Sequence, residues 1–265
     1  MGLNKNLRLL RTGLRLHWKR LLEYKINLIF DIVLRLADSL TFFAFWAIIL
    51  GSANGFAGWD MNSFLLIFAF EAFFTMLVIN FAYSCMYVYD RIHDARLDVI
   101  LTKPAQPWFL AAINGIEPSI SGFLTGGFAI AAAALAGISI PLEILALGLL
   151  MVCLGAVITS LFGLIMATLS FWLGRMDSLD NIFESFWYFG GKPASIFPIG
   201  LQVLTAFTFP FIFIQTIPTM AILGKITVVE MLYYLLAEIA VIVIMYVFFR
   251  MFWKKGLRKY ESGGG

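Results

Sequence analysis

The segment LEILALGLLMVCLGAVITSLFGLIMATLSFW, residues 142–172, is apolar almost throughout and carries a single charged residue, Glu143. A membrane core of about 30 Å is crossed by a helix of about 20 apolar residues, so this segment is long enough to cross a bilayer. Gly155, Thr159 and Gly163 recur in it at four-residue spacing. Small residues at that spacing let helices approach closely in a membrane. The segment therefore predicts a transmembrane helix that packs tightly against its neighbours.

The same apolar character extends over the whole chain. Of its 265 residues, 61% are hydrophobic and 13% are charged, and the mean hydropathy is +0.90. Soluble domains have about 45–50% apolar and about 25% charged residues. So apolar a chain predicts a single polytopic membrane domain over residues 1–265, rather than a soluble domain with an anchor. Residues 1–20 lack the apolar centre and cleavage site of a signal peptide, so we expect them to be retained.

Six apolar runs predict an all-α fold with six transmembrane helices in a membrane domain. The runs lie at residues 28–50, 62–88, 108–136, 142–172, 199–217 and 228–249, within a membrane domain of residues 28–250. Lysine and arginine cluster in the segments that would face one side, and Lys225 alone faces the other. Because cytoplasmic loops carry the excess of positive charge, we expect both termini in the cytoplasm and the chain in the cell membrane. This assignment counts Arg175 and Lys192 as cytoplasmic.

The region around the fifth run has two interpretations. Residues 177–198, DSLDNIFESFWYFGGKPASIFP, mix charges with aromatics and are too polar to cross freely, so we interpret them as an interfacial or re-entrant segment. Alternatively, they contain a short fifth span, and residues 199–217 form a re-entrant hairpin from the outer side. Six crossings result in either case. Pro198, Pro210 and Pro218 are expected to break helices here.

Both ends of the chain are basic. In residues 1–27, leucines and Trp18 recur at helical spacing, with lysines and arginines on the opposite face. This pattern is typical of an interfacial helix whose cations meet anionic lipid while its leucines enter the bilayer. A solvated helix that only follows the distribution of positive charge is a compatible alternative. Residues 251–265 are predicted to form a short cytoplasmic tail.

One charged stretch, YDRIHDARLDVILTKPAQP at residues 89–107, interrupts the apolar sequence. Leu97, Ile100 and Leu101 would lie on one side of a short helix, with charged residues around them. A simple reversal of the chain needs no such helix, so we predict a docking surface on the cytoplasmic face. A solvated helical turn is the alternative.

The order of these motifs resembles that of permease subunits of ABC exporters, and more narrowly of type-2 ABC permeases. The motifs are the basic amphipathic N-terminus, the six spans, RLDVILTKPAQP at 96–107, KPASIFPIGLQVLTAFTFPFIFIQTIPT at 192–219 and KKGLRKYESGGG at 254–265. The resemblance covers essentially the whole chain. It implies a coupling helix that docks into a separate ATPase, an N-terminal interfacial elbow beside it, and outer re-entrant helices that close the exit.

The resemblance also implies partners and contact residues. The residues implied to contact the ATPase are Arg91, Asp94, Arg96, Leu97, Asp98, Ile100, Leu101 and Lys103. One chain with six spans encloses half of a pathway, so we expect a second permease, either an identical copy or a related paralogue, and two ATPase copies. ATP and Mg²⁺ would bind to the ATPase. No cofactor or nucleic acid is expected to bind this chain.

The sequence predicts no catalytic residue and no metal site. The string closest to a phosphate-binding loop, GGKPAS at 190–195, has proline where Ser or Thr must follow the lysine. His17 and His93 lack further ligands at suitable spacing, and we interpret both as surface residues. Cys85 and Cys153 lie in apolar runs and are interpreted as packing residues.

Ionisable residues within the predicted spans fall into two groups. Asp31, Arg35 and Asp38 lie at i, i+4 and i+7 and therefore share one face of the first span. Arg35 can pair with either aspartate. We interpret this group as a polar belt near the cytoplasmic side, in contact with another span or with the second permease. A gate for substrate entry is the alternative.

The second group is Glu71, Glu117 and Glu238, which lie deeper, while Arg35 is the sole basic residue of the predicted spans. An ionised carboxyl group costs about 2.5–3.5 kcal/mol at such depth. Three explanations stay open: a bound proton, hydrogen bonds to asparagines such as Asn80 or Asn114, or a wet cavity that prefers cations. We favour a structural role for Glu117, beside Pro118, and take Glu71 and Glu238 as candidates for a cation-preferring pathway.

The sequence thus predicts the permease of an ATP-driven exporter, with drugs, lipids and peptides all compatible as substrates. One alternative is a proton- or ion-coupled secondary transporter that uses the three glutamates as relays. Another is a membrane assembly subunit that transports nothing and forms no cavity between protomers.

Overall fold

The computed structural model describes residues 8, 11–13, 15–16, 18–19, 22–53, 59–93, 96–113, 115–116, 120–174, 178–187 and 192–260. These residues form helices and turns and contain no β-strand, which confirms the predicted all-α fold. The helices follow in this order: α1 (Lys25–Ala53), α2 (Met61–Leu77), α3 (Tyr83–Met86), α4 (Val88–His93), α5 (Arg96–Leu101), α6 (Pro107–Ile113), α7 (Ser121–Leu135), α8 (Leu142–Leu173), α9 (Leu179–Trp187), α10 (Ile199–Ala206), α11 (Ile217–Ile222) and α12 (Val228–Lys259).

Three short helical turns connect some of these elements. A π-helical turn, Val78–Ala82, joins α2 to α3, and a second, Ile212–Thr216, leads into α11. A 3₁₀ turn, Ala194–Ile196, precedes α10.

Four helical stretches are long and apolar enough to cross a membrane: Lys25–Ile49, Met61–Ile92, Leu142–Leu173 and Val228–Lys259. They correspond to the first, second, fourth and sixth predicted spans, and they support a multi-pass membrane protein. The third and fifth predicted spans are not continuous long helices in the part of the chain described. The count of six crossings therefore stays a prediction.

Prolines occur in the sequence at or beside both interruptions. The third predicted span is divided between α6 and α7, and the sequence between them contains Pro118, which has no backbone N–H to donate. In the fifth, Pro198 directly precedes α10, and Pro210 lies between α10 and the second π-helical turn. Breaks at these two prolines were predicted and are present. Pro218 is instead accommodated in the first turn of α11.

The central helix is α8, which contacts α2, α3, α11 and α12. A Cβ atom on Gly155 would lie 2.2 Å from a methyl group of Ile214, and one on Gly163 would lie 3.1 Å from the backbone nitrogen of Met86. Thr159 Oγ1 donates a hydrogen bond to the carbonyl oxygen of Thr208 at 3.0 Å. The small residues of this helix are therefore used for close packing, as predicted.

Residues 192–222 form a hairpin against α8. Its two ends lie side by side, because Gln215 Nε2 donates to the carbonyl oxygen of Lys192 at 2.7 Å and the backbone N–H of Ala194 donates to Thr216 Oγ1 at 2.9 Å. These bonds satisfy backbone groups that the broken helices leave open, which is a requirement for irregular backbone at membrane depth.

Trp59 marks the end of the bundle at which three connections meet. Its Nε1 donates to Ser195 Oγ at 3.2 Å, and the Lys225 ammonium lies 4.6 Å from the centre of its ring. Trp59 lies between α1 and α2, and Lys225 between α11 and α12. Gln215 holds the carbonyl of Lys192 within the bundle, three residues from Ser195, and the assignment of Lys192 to the cytoplasmic loops stays a prediction.

Two glycines set the distance between α7 and α2. A Cβ atom on Gly122 would lie 2.3 Å from the carbonyl oxygen of Ala72 and 2.5 Å from Met76 Cβ. One on Gly126 would lie 2.9 Å from the ring of Phe73. Only residues without a side chain permit helices to approach this closely.

Replacing Gly122 by alanine should push α7 away from α2 and lower the free energy of unfolding by about 1–3 kcal/mol, as overpacking does elsewhere. Gly127→Ala is the matched control, since nothing lies within 4 Å of the position of its Cβ. The measurement is the midpoint of thermal unfolding of both variants in one detergent. Equal midpoints would contradict the close contact.

Candidate functional site

The first candidate site is the cluster formed by α4, α5 and α6, which contact one another. Within α5, Leu97 is completely buried and Ile100 is 4% exposed, whereas Val99 is 62% and Leu101 is 41% exposed. Lys103, just after the helix, is also exposed. The short helix therefore has an inner face fixed in the core and an outer face that is apolar and unburied.

The predicted contact residues are divided between these two faces. Arg91 is half-buried, and its Nη2 lies 3.6 Å from the position that a Cβ on Gly115 would occupy. Asp98 is also half-buried. Arg96 is the first residue of α5, but its side chain lies outside the described part, as does Asp94. Among the described members of the predicted set, Leu101 and Lys103 are exposed.

Tyr260 joins the C-terminal end of α12 to this cluster. Its ring packs edge-on against Phe171 of α8, with the centroids 6.0 Å apart, and its hydroxyl lies beside the Asp98 carboxylate. Burial, and secondly the Asp98 carboxylate, raise the pKa of Tyr260 to about 12. The hydroxyl makes no hydrogen bond of standard geometry to any described residue. Sequence analysis missed this residue, because a lone tyrosine in a basic tail gives no periodic signal.

The second candidate site is a polar cavity of about 350 Å³ between α1, α2 and α7. Its polar lining consists of four ionisable side chains and four hydroxyl groups, from Arg35, Asp38, Glu71, Lys192, Ser39, Thr75, Ser121 and Thr125. We call this space the polar cavity. It brings together residues from three helices and from the segment that follows α9.

Contacts around Arg35 organise one wall of the polar cavity. Arg35 Nε lies 3.7 Å from Asp31 Oδ1, one turn earlier in α1, and the guanidinium also interacts electrostatically with Glu71. Thr75 Oγ1 donates to Glu71 Oε1 at 3.4 Å. Asp31, Arg35, Asp38 and Glu71 therefore form one neighbourhood, although the sequence suggested two separate groups.

Sequence analysis did not assign Lys192 to this neighbourhood. Its flanking sequence, GGKP, is typical of a loop, and the lysine was therefore counted among the cytoplasmic charges. The contact that places it is the hydrogen bond from Gln215, twenty-three residues away in the chain, and a sequence pattern does not reveal such a contact.

The other two deep glutamates are not at this cavity. Glu238 is completely buried between α8 and α12, with Oε1 3.5 Å from the position of a Cβ on Gly155. Neither of its carboxylate oxygens has a hydrogen-bond partner among the described residues. Glu117 lies outside the described part. The residues that are described do not connect Glu71 to Glu238.

An apolar groove of about 320 Å³ adjoins the polar cavity and runs between α1 and α7. The two spaces share Ser39, Phe68 and Thr125 as lining residues. The remaining groove residues are apolar: Leu36, Leu40, Phe43, Leu65, Phe128, Ala129 and Ala132. Together, the two spaces are polar at one end and hydrocarbon-like at the other.

A comparison with protein families identifies the chain. The family described as "ABC-2 family transporter protein" matches residues 36–264, which include both candidate sites. The chain belongs to the ABC-2 transporter family. Members of this family are transmembrane subunits, and membership implies pairing with an ATP-binding subunit. The search of curated proteins gave no match. As an ABC-2 transporter, the chain agrees with the resemblance drawn from its motifs.

The two faces of α5 should differ in chemical accessibility. In a background with Cys85→Ala and Cys153→Ala, Val99→Cys and Leu101→Cys should react quickly with a water-soluble maleimide. Leu97→Cys and Ile100→Cys should react slowly, because their side chains are buried. The measurement is the rate of labelling, with complete labelling in denaturant as the control. Equal rates at all four positions would contradict the inward orientation of Leu97 and Ile100.

Proposed function

We propose that the chain is the permease subunit of an ATP-driven ABC exporter, forming half of the translocation pathway and docking a separate ATPase at α5. The supporting observation is the outer face of α5, where Val99 and Leu101 expose large apolar side chains next to Lys103. Exposed apolar residues on an otherwise anchored surface helix are typical of a protein-binding surface. The ATPase binds ATP and Mg²⁺, and this chain contributes no catalytic group.

The proposed docking surface consists of Val99, Leu101, Thr102 and Lys103. Leu97 and Ile100 act instead as anchors that hold α5 in the core, because withdrawing a buried aliphatic side chain costs about 1.5–3 kcal/mol. Arg91 and Asp98 support the helix from the side. Arg96 and Asp94 stay predicted contacts at its start.

The anchors also explain how movement of α5 reaches the membrane. Leu97 and Ile100 belong to the same core cluster as residues of α2, α8 and α12. Tyr260, directly after α12, lies beside Asp98 of α5. A displacement of α5 by the ATPase is therefore transmitted to several membrane helices together.

A second permease, identical or related, completes the pathway in this proposal. The inner half of α1 exposes large apolar side chains, among them Ile29 at 60%, Phe30 at 62% and Leu34 at 61%. The polar cavity is lined by Arg35, Asp38 and Ser39 of this helix and is not fully enclosed. A second chain packed along α1 would shield it further.

The proposed topology has six crossings with both termini in the cytoplasm. The fifth crossing lies within residues 177–198, and residues 199–217 form a re-entrant hairpin that enters from the outer side. This arrangement is the alternative interpretation of the fifth run. It is supported by Trp59, which contacts both Ser195 and Lys225.

Charge on the outer face of α5 should release the ATPase. Val99→Glu and Leu101→Glu are each expected to reduce co-purification of the ATP-binding subunit at least about tenfold, since each buries an unpaired carboxylate in the interface. Val228→Glu is the matched control, because Val228 has the same 41% exposure as Leu101 but lies at the far end of α12. The readout is the ATPase-to-permease ratio after affinity purification. Full retention in both α5 variants would refute docking at this face.

The secondary-transporter alternative predicts a different result in reconstituted vesicles. It predicts that substrate is transported in vesicles that contain this chain alone, without ATPase or ATP. The ATP-driven proposal requires transport to depend on both, and substrate movement in their absence would exclude it.

The topology can be tested by labelling in intact cells. In the cysteine-free background, Ser195→Cys should react with a membrane-impermeant maleimide added outside, because Ser195 is exposed beside the Trp59 end of the bundle. Val99→Cys should react only after permeabilisation. Labelling of both from the same side would contradict the proposed crossing within residues 177–198.

A further inference from the structure

We propose that the polar cavity binds the headgroup of a zwitterionic amphiphile and that the adjoining apolar groove binds its acyl chain. The inference rests on the proposed function, since it names the substrate class of the exporter. It follows from three features of the structure: the balance of charge around the cavity, the continuity of the two spaces, and the location of both between helices of the membrane domain.

The charges that line the polar cavity are balanced. Arg35 and Lys192 are basic, and Asp38 and Glu71 are acidic. Asp31 pairs with Arg35 at 3.7 Å but does not line the cavity. A ligand with one anionic and one cationic group can meet a partner of opposite charge for each among the four lining side chains. A ligand with a single charge would use partners of one sign only and would lie close to side chains of its own sign, which is costly in a low-dielectric site.

The hydroxyl groups fit the same type of headgroup. Ser39 and Thr125 already donate to carbonyl oxygens of their own helices, at 2.6 Å to Arg35 and 3.1 Å to Ser121. Their oxygens keep lone pairs that can accept from an ammonium group. Arg35 offers a planar set of donors suited to a phosphate or carboxylate. The cavity therefore offers complementary partners to both ends of a zwitterion.

The apolar groove argues for an amphiphile rather than a small polar solute. It begins at Ser39, Phe68 and Thr125, which the polar cavity also touches. Further along it is lined by side chains such as Leu40, Phe128 and Ala132. An ion or a peptide pathway would need polar groups to continue beyond the cavity, whereas an acyl chain needs hydrocarbon. Each buried methylene of such a chain adds about 0.8 kcal/mol.

The test measures binding to the purified chain in detergent, without ATPase. Three fluorescent probes share one labelled acyl chain and differ in headgroup. Lysophosphatidylethanolamine is zwitterionic, lysophosphatidylglycerol is anionic, and the choline ester of the same fatty acid is cationic. Fluorescence anisotropy gives the affinity of each. The parent is expected to bind the zwitterionic probe at least about tenfold more tightly than either of the others.

Opposite variants should shift this preference in opposite directions. Lys192→Gln removes a positive charge and should favour the cationic probe, whereas Glu71→Gln removes a negative charge and should favour the anionic probe. Each shift is expected to be about tenfold in relative affinity. Lys225→Gln and Glu143→Gln are the matched controls, because neither residue lines the polar cavity or the apolar groove.

The groove has its own test. Ala132→Trp should fill it and weaken all three acylated probes by a similar factor, without changing their order. Ala146→Trp, in α8 and outside both spaces, controls for the bulk of the tryptophan. Soluble phosphoethanolamine has the same headgroup but no acyl chain. If it displaces the fluorescent zwitterionic probe as effectively as the unlabelled acylated compound does, the groove has no role in binding.

Two results would overturn the inference as a whole. One is a parent that binds a singly charged probe most tightly. The other is a headgroup preference that neither charge variant changes. Such a result would show that the preference comes from partition of the probes into detergent micelles and not from binding in the polar cavity. Because the assay contains no ATPase, such a failure leaves docking at α5 intact. Conversely, a permease that retains no ATPase can still bind the zwitterionic probe.

Discussion

Hydrocarbon supplies neither hydrogen bonds nor counter-charges, so each polar group at membrane depth needs a partner from the chain or from a ligand. The backbone of residues 192–222 shows how this requirement shapes the fold. Its prolines interrupt the helix, and the carbonyl groups of Thr208 and Lys192 accept hydrogen bonds from Thr159 and Gln215. Gly155 makes this possible, because the hairpin can approach α8 only where no side chain intervenes.

The same requirement explains the distribution of charged side chains. Arg35, Asp38, Glu71 and Lys192 come from separate parts of the sequence and line one cavity, where opposite charges are close to one another. Glu238 is the contrasting case, since it is fully buried and its oxygens have no hydrogen-bond partner among the residues described. Charge at depth is thus concentrated at a cavity that can admit a ligand, while an isolated carboxyl group lies beside the turn of the hairpin.

The features that the sequence could predict are those that depend on local composition. Long apolar runs predicted six membrane helices, four of which are present as helices long and apolar enough to cross a membrane, and prolines predicted the breaks at Pro198 and Pro210. In α5, spacing predicted a helix but not its orientation, because apolar residues occur on both faces and only packing decides that Leu97 is inside and Leu101 outside. The position of Lys192 depends on a contact with Gln215, which is far along the chain. Neither the hydropathy of a segment nor a count of its charges can reveal such a contact.

The polar cavity and the proposed docking surface lie on one continuous path of the chain. The stretch Met61–Ile92 carries Glu71 in its first half and leads directly to α5 at its other end. It contains the π-helical turn Val78–Ala82, and such turns interrupt the regular hydrogen-bond pattern and occur often at functional sites. A change in helical winding at this turn would rotate the first half of the stretch, which bears Glu71, relative to the second half, which leads to α5. In the proposed function, an ATPase pulling on α5 therefore alters the cavity through this helix.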